Sequence, residues 1–404
     1  MKQKLKNVVI VNDSNFISGG EDKVAIQSAN MLVDKFNDIN VYFFSNNNID
    51  DSPLNKKVIN VRNDMIIPFE NKNKLIGALN GLYSFKTKRK LIKFLKKLNN
   101  EETIIHVHSW SKSITSCVFD VASKLHFKFV LTMHDYFTAC PNGGFYNYQQ
   151  QKICHLKPCS LKCICCDCDS RNYIFKLYRI IRQYIFYCSL RNLKYVISIS
   201  NFSENIQKNF LPKDCKIFSF YNPIDLEKEK EKIDPSKNNW YLYVGRISKE
   251  KGVDIFCDCI TSVGLQGIVV GDGDYRKELE EKYKNINFLG WKNSKEVKNI
   301  MKKARCLIMP SKWYECAPLT PLEAMQFGIP IISSNNNATI DYLKKDIGLI
   351  YSSKNELKKI IKMCESDEII KKYSRNAFNY IKKEWANKKY VEELNSIYNN
   401  ILSD

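Results

Sequence analysis

Two carboxylates with a defined spacing are the first candidates for chemistry. Glu315 and Glu323 have seven residues between them. Glu315 falls in the loop after an apolar run, Cys306 to Met309, that predicts a buried parallel strand, and Glu323 falls about a turn inside the helix that follows. Both carboxylates therefore border a pocket at the carboxyl edge of the predicted sheet, where open α/β sheets bind ligands.

The start of that helix adds an anion site. The backbone amides of Leu319 and Thr320 are free of helical partners, and the positive end of the helix dipole lies behind them. The helix is predicted to open near Pro318 and to end before Gly328. Together with the two glutamates, this pattern predicts a ligand with phosphate next to hydroxyl groups, such as a nucleotide sugar. The alternative is a pair of glutamates on a solvated helix face.

Two cations follow the strand predicted over Trp240 to Val244. In the sequence VGRISKEKG, Arg246 and Lys251 lie on a glycine-flanked loop. A guanidinium binds phosphate as a planar fork, and an ammonium binds it as a point charge. The loop is therefore a candidate diphosphate site, and a solvated basic loop is the alternative.

Glycines occur in the loops after three further strands, where they allow a ligand to approach the bare backbone. The residues concerned are Gly19 and Gly20 in SGG, Gly271 and Gly273 in VVGDGD, and Gly290 with Trp291 in NFLGW. NFLGW also offers backbone amides and carbonyls to a flat base. The SGG loop is not a G-x-G-x-x-G dinucleotide fingerprint. We interpret these turns as donor-binding loops, and simple surface turns are the alternative.

Histidines end two strands of the first half. IIHVHSW places His106 and His108 two residues apart, on the same face of a strand, with His108 nearer the edge of the sheet. TMHDY places His134 and Asp135 at the end of the next strand. The set is a candidate reaction site if it faces the cleft that holds the cations and carboxylates. Packed or surface histidines are the alternative, and no H-E-x-x-H metal motif is formed.

Short β-branched and aromatic runs alternate with helical stretches such as Asp22 to Phe36. The first half has the runs Val8 to Val11, Val41 to Phe44, Val58 to Val61, Ile104 to Val107, Phe127 to Met133 and Tyr195 to Ile199. The second half has Trp240 to Val244, Ile268 to Val270, Ile286 to Leu289, Leu307 to Met309 and Ile329 to Ser333. The alternation predicts βαβ units, and hence an α/β fold of two doubly wound, Rossmann-like domains with a ligand cleft between them.

The boundary between the two domains is inferred from a charged stretch, Asp225 to Asn239, which predicts a helix and a linker. We predict an N-terminal domain over residues 1–222, with a cysteine-rich insertion over about residues 138–170, and a C-terminal domain over residues 223–385. A final helix over residues 386–404 could cross back to the N-terminal domain.

The composition narrows the class of protein. A chain of 404 residues that is 44% apolar fits two globular domains and excludes a disordered or fibrous class. The sequence has no long apolar run and begins MKQKLKNVVIVND, which leads into a strand and not a signal-peptide core, so we expect a cytoplasmic protein. The net charge of +20 should attract polyanions, namely anionic lipids, nucleic acid or phosphorylated substrates.

Fifteen cysteines in a cytosolic chain are expected to be thiols or metal ligands. Seven of them stand in the insertion: Cys140, Cys154, Cys159, Cys163, Cys165, Cys166 and Cys168. Thiolates this dense, with His155 nearby, favour a structural zinc or iron–sulfur site that orders a loop beside the acceptor cleft. Unligated thiols are the alternative.

Two basic amphipathic stretches predict contact with an anionic membrane surface. Thr87 to Leu98 reads TKRKLIKFLKKL, and Tyr173 to Leu193 is rich in Tyr, Phe, Ile, Arg and Lys. Basic amphipathic helices bind anionic interfaces, although helices that face a protein core show the same pattern.

The motifs in order are GG, HVH, HD, NPID (Asn222 to Asp225), GR-x4-KG, GDG, FLGW and E-x7-E. This set resembles the family 4 retaining glycosyltransferases of GT-B fold, of the capsule, O-antigen and exopolysaccharide type, over nearly the whole chain. One departure is that Cys316, Ala317 and Pro318 replace glycines that are common after the first Glu of the family motif. This difference leaves the identity of the donor sugar open.

The resemblance implies a role for each matched residue. Arg246 and Lys251 would neutralise the departing nucleoside diphosphate, Glu323 would bind the ribose hydroxyls, and Glu315 would lie beside the donor sugar. His108 would contact the donor sugar near the reacting carbon. The remaining matches are the amides of Ala317, Leu319 and Thr320 around sugar and phosphate, Gly19 and Gly20 near the diphosphate or acceptor, and His134 with Asp135 on the acceptor side.

The implied reaction is transfer of a sugar from a nucleoside-diphosphate sugar to a hydroxyl of a lipid-linked saccharide, with retention, at the inner face of the plasma membrane. No metal is required, because fixed cations and helix-end amides stabilise the leaving diphosphate. A nucleotide-sugar epimerase or hydrolase of the same fold is the first alternative. A non-enzymatic, zinc-containing nucleic-acid-binding protein is the second, and it leaves the E-x7-E loop and the strand-end cations unexplained.

Overall fold

The computed structural model describes residues 5–63, 73–224, 226, 232–344, 346–385 and 390–404. Within these residues the chain forms two parallel sheets with helices on both faces, and a small antiparallel hairpin. The predicted fold class, an α/β protein of two Rossmann-like domains, is confirmed.

The N-terminal domain is built on a seven-stranded sheet in the order β3-β2-β1-β4-β5-β8-β9 within the described residues. Its strands are β1 (Asn7–Val11), β2 (Asn40–Ser45), β3 (Ile59–Arg62), β4 (Thr103–Val107), β5 (Lys128–Thr132), β8 (Tyr195–Ser198) and β9 (Lys216–Ser219). Its insertion contributes the hairpin of β6 (Tyr146–Asn147) and β7 (Lys152–Ile153).

Seven helices accompany these strands in the described part of the N-terminal domain. They are α1 (Gly20–Lys35), α2 (Lys74–Leu82), α3 (Phe85–Leu95), α4 (Cys117–Lys124), α5 (Leu161–Cys165), α6 (Tyr173–Ser189) and α7 (Asn201–Gln207). Both faces of β1 are apolar, so that Val8 and Ile10 join one core cluster and Val9 and Val11 join the other. A central parallel strand has this composition because helices cover both faces of the sheet.

The C-terminal domain has a six-stranded sheet in the order β12-β11-β10-β13-β14-β15 within the described residues. The strands are β10 (Trp240–Val244), β11 (Gln266–Val270), β12 (Ile286–Gly290), β13 (Ala304–Met309), β14 (Ile331–Ser334) and β15 (Leu349–Tyr351). The helices are α8 (Val253–Ser262), α9 (Arg276–Lys282), α10 (Ser294–Met301), α11 (Leu319–Met325), α12 (Ile340–Leu343), α13 (Lys354–Met363) and α14 (Asp367–Glu384).

The chain ends with α15 (Tyr390–Ser403), which packs against the N-terminal domain. Tyr390 forms a hydrogen bond of 2.8 Å with Ser28 of α1, and Tyr398 forms one of 2.6 Å with His106 of β4. The last helix therefore lies on the first sheet, as part of the core cluster that contains Val8 and Ile10.

The apolar side of the stretch Thr87 to Leu98 is covered by the protein core. The stretch lies largely on α3, where Leu91 and Leu95 are fully buried in the core of the N-terminal domain. Its apolar side therefore packs inward, which is the core-facing alternative for this stretch. In the linker, Asp225 and residues 227–231 lie outside the described residues, and Pro235–Lys237 forms a 3-10 turn.

Candidate active site

Glu315 is the centre of a buried hydrogen-bond cluster in the loop between β13 and α11. Its Oε1 accepts hydrogen bonds from Lys251 Nζ at 2.6 Å, Ser311 Oγ at 2.8 Å and Trp313 Nε1 at 2.8 Å. Burial raises the pKa of this carboxyl, but the Lys251 ammonium and the hydrogen bonds from Trp313 and Ser311 outweigh burial and hold the pKa below its ordinary value. Glu315 is therefore ionised at neutral pH and paired with a cation.

The position of Lys251 depends on the glycine that follows it. Lys251 ends the 3-10 turn Lys249–Lys251, and Gly252 has a φ of +70°. A Cβ at position 252 would lie 1.9 Å from the carbonyl oxygen of Pro310, so only glycine lets this turn pack against the end of β13. The loops after β10 and β13 are thus in direct contact, which brings Lys251 to Glu315.

Arg246 lies farther out on the same loop. Its side chain is 58% exposed and forms an ion pair of 2.8 Å with Glu250, whose carboxylate also accepts a hydrogen bond from Ser248 Oγ. The two predicted cations are therefore neighbours, but Lys251 contacts Glu315 whereas Arg246 contacts Glu250.

The second predicted carboxylate contacts the opposite domain. Glu323 lies in α11, and its Oε1 is 2.5 Å from Nζ of Lys23, in the first turn of α1. A Cβ on Gly20 would lie 4.0 Å from Cδ1 of Leu319. The start of α1, after the SGG loop, therefore faces the start of α11, where Leu319 and Thr320 are the first two residues.

The loop that carries Glu315 is wedged between the two domains. Cys316 is buried in a core cluster of the N-terminal domain, and its carbonyl accepts a hydrogen bond from Ser200 Oγ. The Tyr314 ring lies 5.6 Å from the Phe202 ring. A Cβ on Gly144 of the insertion would lie 2.8 Å from the Trp313 ring. Glu315 and Lys251 are therefore in the cleft between the domains.

The histidines form a buried row at the carboxyl edge of the first sheet. The His106 and His108 rings are 4.0 Å apart, and His108 Nδ1 is hydrogen-bonded to His134 Nε2 at 2.9 Å. Burial lowers the pKa of His106 and of His134 to about 3 and lowers that of His108 well below its ordinary value. All three imidazoles are therefore neutral at pH 7. Nε2 of His108 is buried and has no hydrogen-bond partner among the described residues.

Asp135 follows His134 and is also buried. Burial is the main cause that raises the pKa of its carboxyl to about 7, and the nearby Glu21 adds to the shift. The backbone N–H of Phe137 donates to Oδ1 at 2.9 Å. Asp135 therefore changes charge near neutral pH, beside the row of histidines.

A family model matches most of the C-terminal domain. Residues 225–384 match the model described as glycosyl transferases group 1. The matched segment is about two fifths of the chain, and we call the C-terminal domain that contains it the glycosyltransferase domain. It contains Arg246, Lys251, Glu315 and Glu323, and it closes the cleft against the N-terminal domain.

Two curated relatives of the chain are named for diphosphoundecaprenol-linked sugars. The chain is 28% identical over 211 residues to the UDP-Gal:alpha-D-GlcNAc-diphosphoundecaprenol alpha-1,3-galactosyltransferase of Escherichia coli, covering 45% of this chain and 54% of that protein. It is 26% identical over 236 residues to an alpha-1,4-N-acetyl-D-galactosaminyltransferase of Campylobacter jejuni that is named for a PP-undecaprenol-linked saccharide, covering 52% of this chain and 62% of that protein. The chain spans about half the length of the first curated relatives it matches.

Solved structures match both domains. The sucrose-phosphate synthase of Thermosynechococcus elongatus has a TM-score of 0.72 at 15% identity, covering 98% of this chain and 99% of that chain. HepE of Anabaena, in complex with UDP and glucose, has a TM-score of 0.68 at 16% identity with the same coverage. These likenesses show that the two domains form the GT-B fold.

Two glycine turns of the glycosyltransferase domain serve its internal packing. A Cβ on Gly271 would lie 1.9 Å from the Gly245 carbonyl oxygen, and one on Gly273 would lie 2.3 Å from the Ile247 carbonyl oxygen. These glycines let the loop after β11 pack against the loop that carries Arg246. A Cβ on Gly290 would lie 2.8 Å from Nη1 of Arg276, and Trp291 is 73% exposed at the surface.

The cysteines of the insertion gather around a lysine. Nζ of Lys176, which is 1% exposed, donates to Sγ of Cys168 at 3.1 Å and of Cys163 at 3.5 Å. Throughout the described residues, no three His, Cys, Asp or Glu side chains are arranged to hold a metal ion. Burial raises the pKa of Cys168 to about 11, so this thiol is protonated at neutral pH. The zinc or iron–sulfur site of the insertion therefore stays a prediction.

Sequence reasoning missed three residues of the site. The only sequence feature that could have identified Lys23 as a site residue is its position, three residues after the SGG glycines in the first turn of a helix. Trp313 and Ser311 precede Glu315 by two and four residues, and both donate to its carboxylate. Because a buried indole N–H needs a partner, the Trp next to a loop carboxylate is a usable signal.

Proposed function

We propose that the protein is a retaining glycosyltransferase. It moves a sugar from a nucleoside-diphosphate sugar to a hydroxyl group of a lipid-linked saccharide in the synthesis of a cell-surface polysaccharide. The observation that carries this proposal is the buried pair of Lys251 and Glu315, in the cleft between a group 1 glycosyltransferase domain and the N-terminal domain. The UDP and glucose bound to HepE support the donor class, and the lipid-linked sugars named for the relatives support the acceptor class.

The proposed step breaks the bond between the sugar C1 and the phosphate oxygen, and the electron pair leaves with the diphosphate. Lys251 and Arg246 neutralise the charge that builds there, together with the amides at the start of α11. The acceptor oxygen bonds to C1 on the face that the diphosphate leaves. Its proton passes to the departing phosphate oxygen, so no residue of the chain has to remove it.

The histidine row suits a site that contacts a neutral sugar. Since burial keeps His108 uncharged, its buried Nε2 acts as a hydrogen-bonding atom toward sugar hydroxyls and not as a second charge. The contact with His134 Nε2 occupies Nδ1 of His108 and orients the ring. Glu315, ionised and held by three donors, stays beside the donor sugar as a fixed negative charge.

The test is a transfer assay with a panel of nucleotide sugars and polyprenyl-diphosphate-linked saccharides. We expect a new glycosidic bond with the anomeric configuration of the donor, as read by NMR of the product. Free sugar formed at the same rate with and without acceptor indicates a hydrolase, and an isomerised nucleotide sugar indicates an epimerase.

Site variants separate donor binding from turnover. Glu323→Ala is expected to weaken nucleotide binding by about tenfold, because the ribose hydroxyls lose an ionic acceptor. Lys251→Met is expected to lower turnover more than donor affinity, since its charge is needed most when the diphosphate leaves. Lys249→Met, in the same turn with its Nζ over the Tyr275 ring, is the matched control. Normal turnover in Lys251→Met would refute the assignment.

The acceptor class implies an anionic membrane as a partner, and an apolar surface on the N-terminal domain supports this. Ile174, Leu177, Ile181 and Tyr184 form an exposed stripe along α6, spaced by three or four residues. The exposed Leu75, Ile76 and Leu79 extend this stripe on α2, which is joined to α6 by a hydrogen bond from Tyr178 to the Ala78 carbonyl.

Exposed basic side chains lie on two neighbouring helices. Lys86, Arg89 and Lys90 are exposed on α3, directly after α2, and Lys162 is exposed on α5. An apolar stripe bordered by cations fits the interface of an anionic bilayer. Within the described residues, no helix has the length and apolar character needed to span a bilayer. We therefore propose peripheral binding through α2 and α6.

Vesicle co-sedimentation tests this surface. The wild-type protein is expected to bind vesicles with phosphatidylglycerol more strongly than pure phosphatidylcholine vesicles. The double variant Ile174→Ser, Ile181→Ser is expected to lose at least about tenfold in binding, whereas Ile49→Ser, which changes an exposed apolar residue elsewhere, is not. Equal binding by the double variant and the wild-type protein would contradict the proposed surface.

A further inference from the structure

Lys23 and Glu323 form an ion pair across the cleft. Their charged atoms are 2.5 Å apart, and the side chains are 19% and 16% exposed. They come from α1 of the N-terminal domain and α11 of the glycosyltransferase domain, 300 residues apart in the chain. Among the described residues, each is the only side-chain partner of the other. A partly buried carboxylate keeps its charge at low cost only while a partner faces it.

The backbone around Lys23 is held firmly in place. Lys23 N–H donates to the Gly19 carbonyl at 3.2 Å, which starts α1. The buried Asp22 accepts hydrogen bonds from Ser18 N at 3.1 Å and Ser18 Oγ at 2.6 Å, and from Asn12 at 2.8 Å. The SGG loop and the first turn of α1 are thus anchored to the first sheet. The ammonium of Lys23 therefore projects from a rigid element toward α11.

We propose that Lys23 is a donor-binding residue that changes partner when the nucleotide binds. Without nucleotide it neutralises Glu323. When the ribose hydroxyls of a nucleoside diphosphate take the Glu323 carboxylate, the freed ammonium contacts the diphosphate beside the start of α11. This role rests on the proposed function, because it uses Glu323 as the ribose ligand.

The exchange has a physical reason. A ribose donates two hydroxyl hydrogen bonds to a carboxylate, which replaces the ammonium as the partner of Glu323. The ammonium then needs an anion, and the diphosphate brings one within the same cleft. Because Lys23 and Glu323 belong to different domains, the exchange replaces a direct ion pair across the cleft with contacts that both side chains make to the nucleotide.

The experiment compares two probes on two variants by calorimetry. The first probe is whichever of UDP, GDP, ADP and dTDP the wild-type protein binds most tightly, and the second is the corresponding nucleoside without phosphate. Lys23→Met is expected to lower the affinity for the diphosphate about tenfold, which is about 1.4 kcal/mol. Its affinity for the nucleoside is expected to stay the same or to rise, because Glu323 no longer has a competing partner. Lys35→Met, on the same helix and paired with Glu392 at the surface, is the matched control.

Each outcome decides the inference. An unchanged affinity for the diphosphate in Lys23→Met, or an equal loss for diphosphate and nucleoside, makes Lys23 a structural tie and overturns the role. Lys23→Arg, which keeps the charge, is expected to retain the affinity for the diphosphate, and it serves as the folded reference if Lys23→Met melts early. A wild-type protein that binds none of the four diphosphates fails the proposed function itself.

Discussion

Replacing Lys251 with Met removes the cation that keeps Glu315 charged inside the cleft. Breaking a buried ion pair by removing one partner costs about 3–5 kcal/mol. The Lys251 side chain is 23% exposed and that of Glu315 is 10% exposed, and Ser311 and Trp313 still donate to the carboxylate. We therefore expect the lower end, a loss of about 3 kcal/mol in the free energy of unfolding at neutral pH. For a domain of this size the loss lowers the melting temperature by about 6–12 °C.

The loss is expected to depend on pH. In the wild-type protein the pKa of Glu315 lies below its ordinary value, so the pair stabilises the fold above about pH 4.3 and this contribution is lost as the pH falls further. In Lys251→Met, burial dominates and raises the pKa of Glu315 above that of the unfolded chain, so the ionised carboxylate destabilises the fold as the pH rises. The difference between the two proteins should therefore be small near about pH 4.5 and grow toward about pH 7.5.

The assay is thermal melting followed by circular dichroism at the two pH values, with Lys249→Met as control. The double variant Lys251→Met, Glu315→Gln removes the unpaired charge and is expected to recover most of the lost melting temperature at neutral pH. An equal loss at both pH values, or a double variant no more stable than the single one, would refute the reasoning that the buried charge of Glu315 is the cause.

Two further predictions concern buried groups near the cleft. Burial raises the pKa of Asp135 to about 7 in the folded chain, whereas an unfolded Asp has a pKa of about 3.9. Between these two pH values the folded chain keeps a proton that the unfolded chain has released. The free energy of unfolding therefore falls as the pH rises from about 3.9 to about 7. Asp135→Asn is expected to flatten this fall, as read by melting temperature against pH, and an unchanged slope would contradict the shift. Gly271→Ala places a Cβ 1.9 Å from the Gly245 carbonyl oxygen and is expected to cost at least about 1–3 kcal/mol. Gly19→Ala, with nothing within 4 Å of the new Cβ and an extended φ of −160°, is its control in the same melting experiment, and equal melting of the two variants would show that the loop relaxes.

The elements that the sequence predicted well are those that carry a strong local signal. β1 and β4 are apolar on both faces, so a run of buried residues marks each of them without knowledge of the fold. β9 and β15, at the ends of their sheets, were missed because the residues of β9 are exposed or half-buried and β15 has only three residues. For α3 the core-facing alternative holds, because helical periodicity reveals an apolar side but not what covers it.

In the candidate site, too, the sequence predicted some features and not others. Local spacing was enough to select Lys251 and Glu315, since a loop after a parallel strand must lie at the carboxyl edge of its sheet. The pairing of Lys23 with Glu323 joins residues 300 positions apart, and no periodicity or motif carries that information. The charge state of the histidine row was equally beyond the sequence, because it follows from burial. The order of residue types along the chain indicates which side chains stand at strand ends. Which of these side chains meet depends on how one domain packs on the other, because contact and desolvation are properties of the assembled interface.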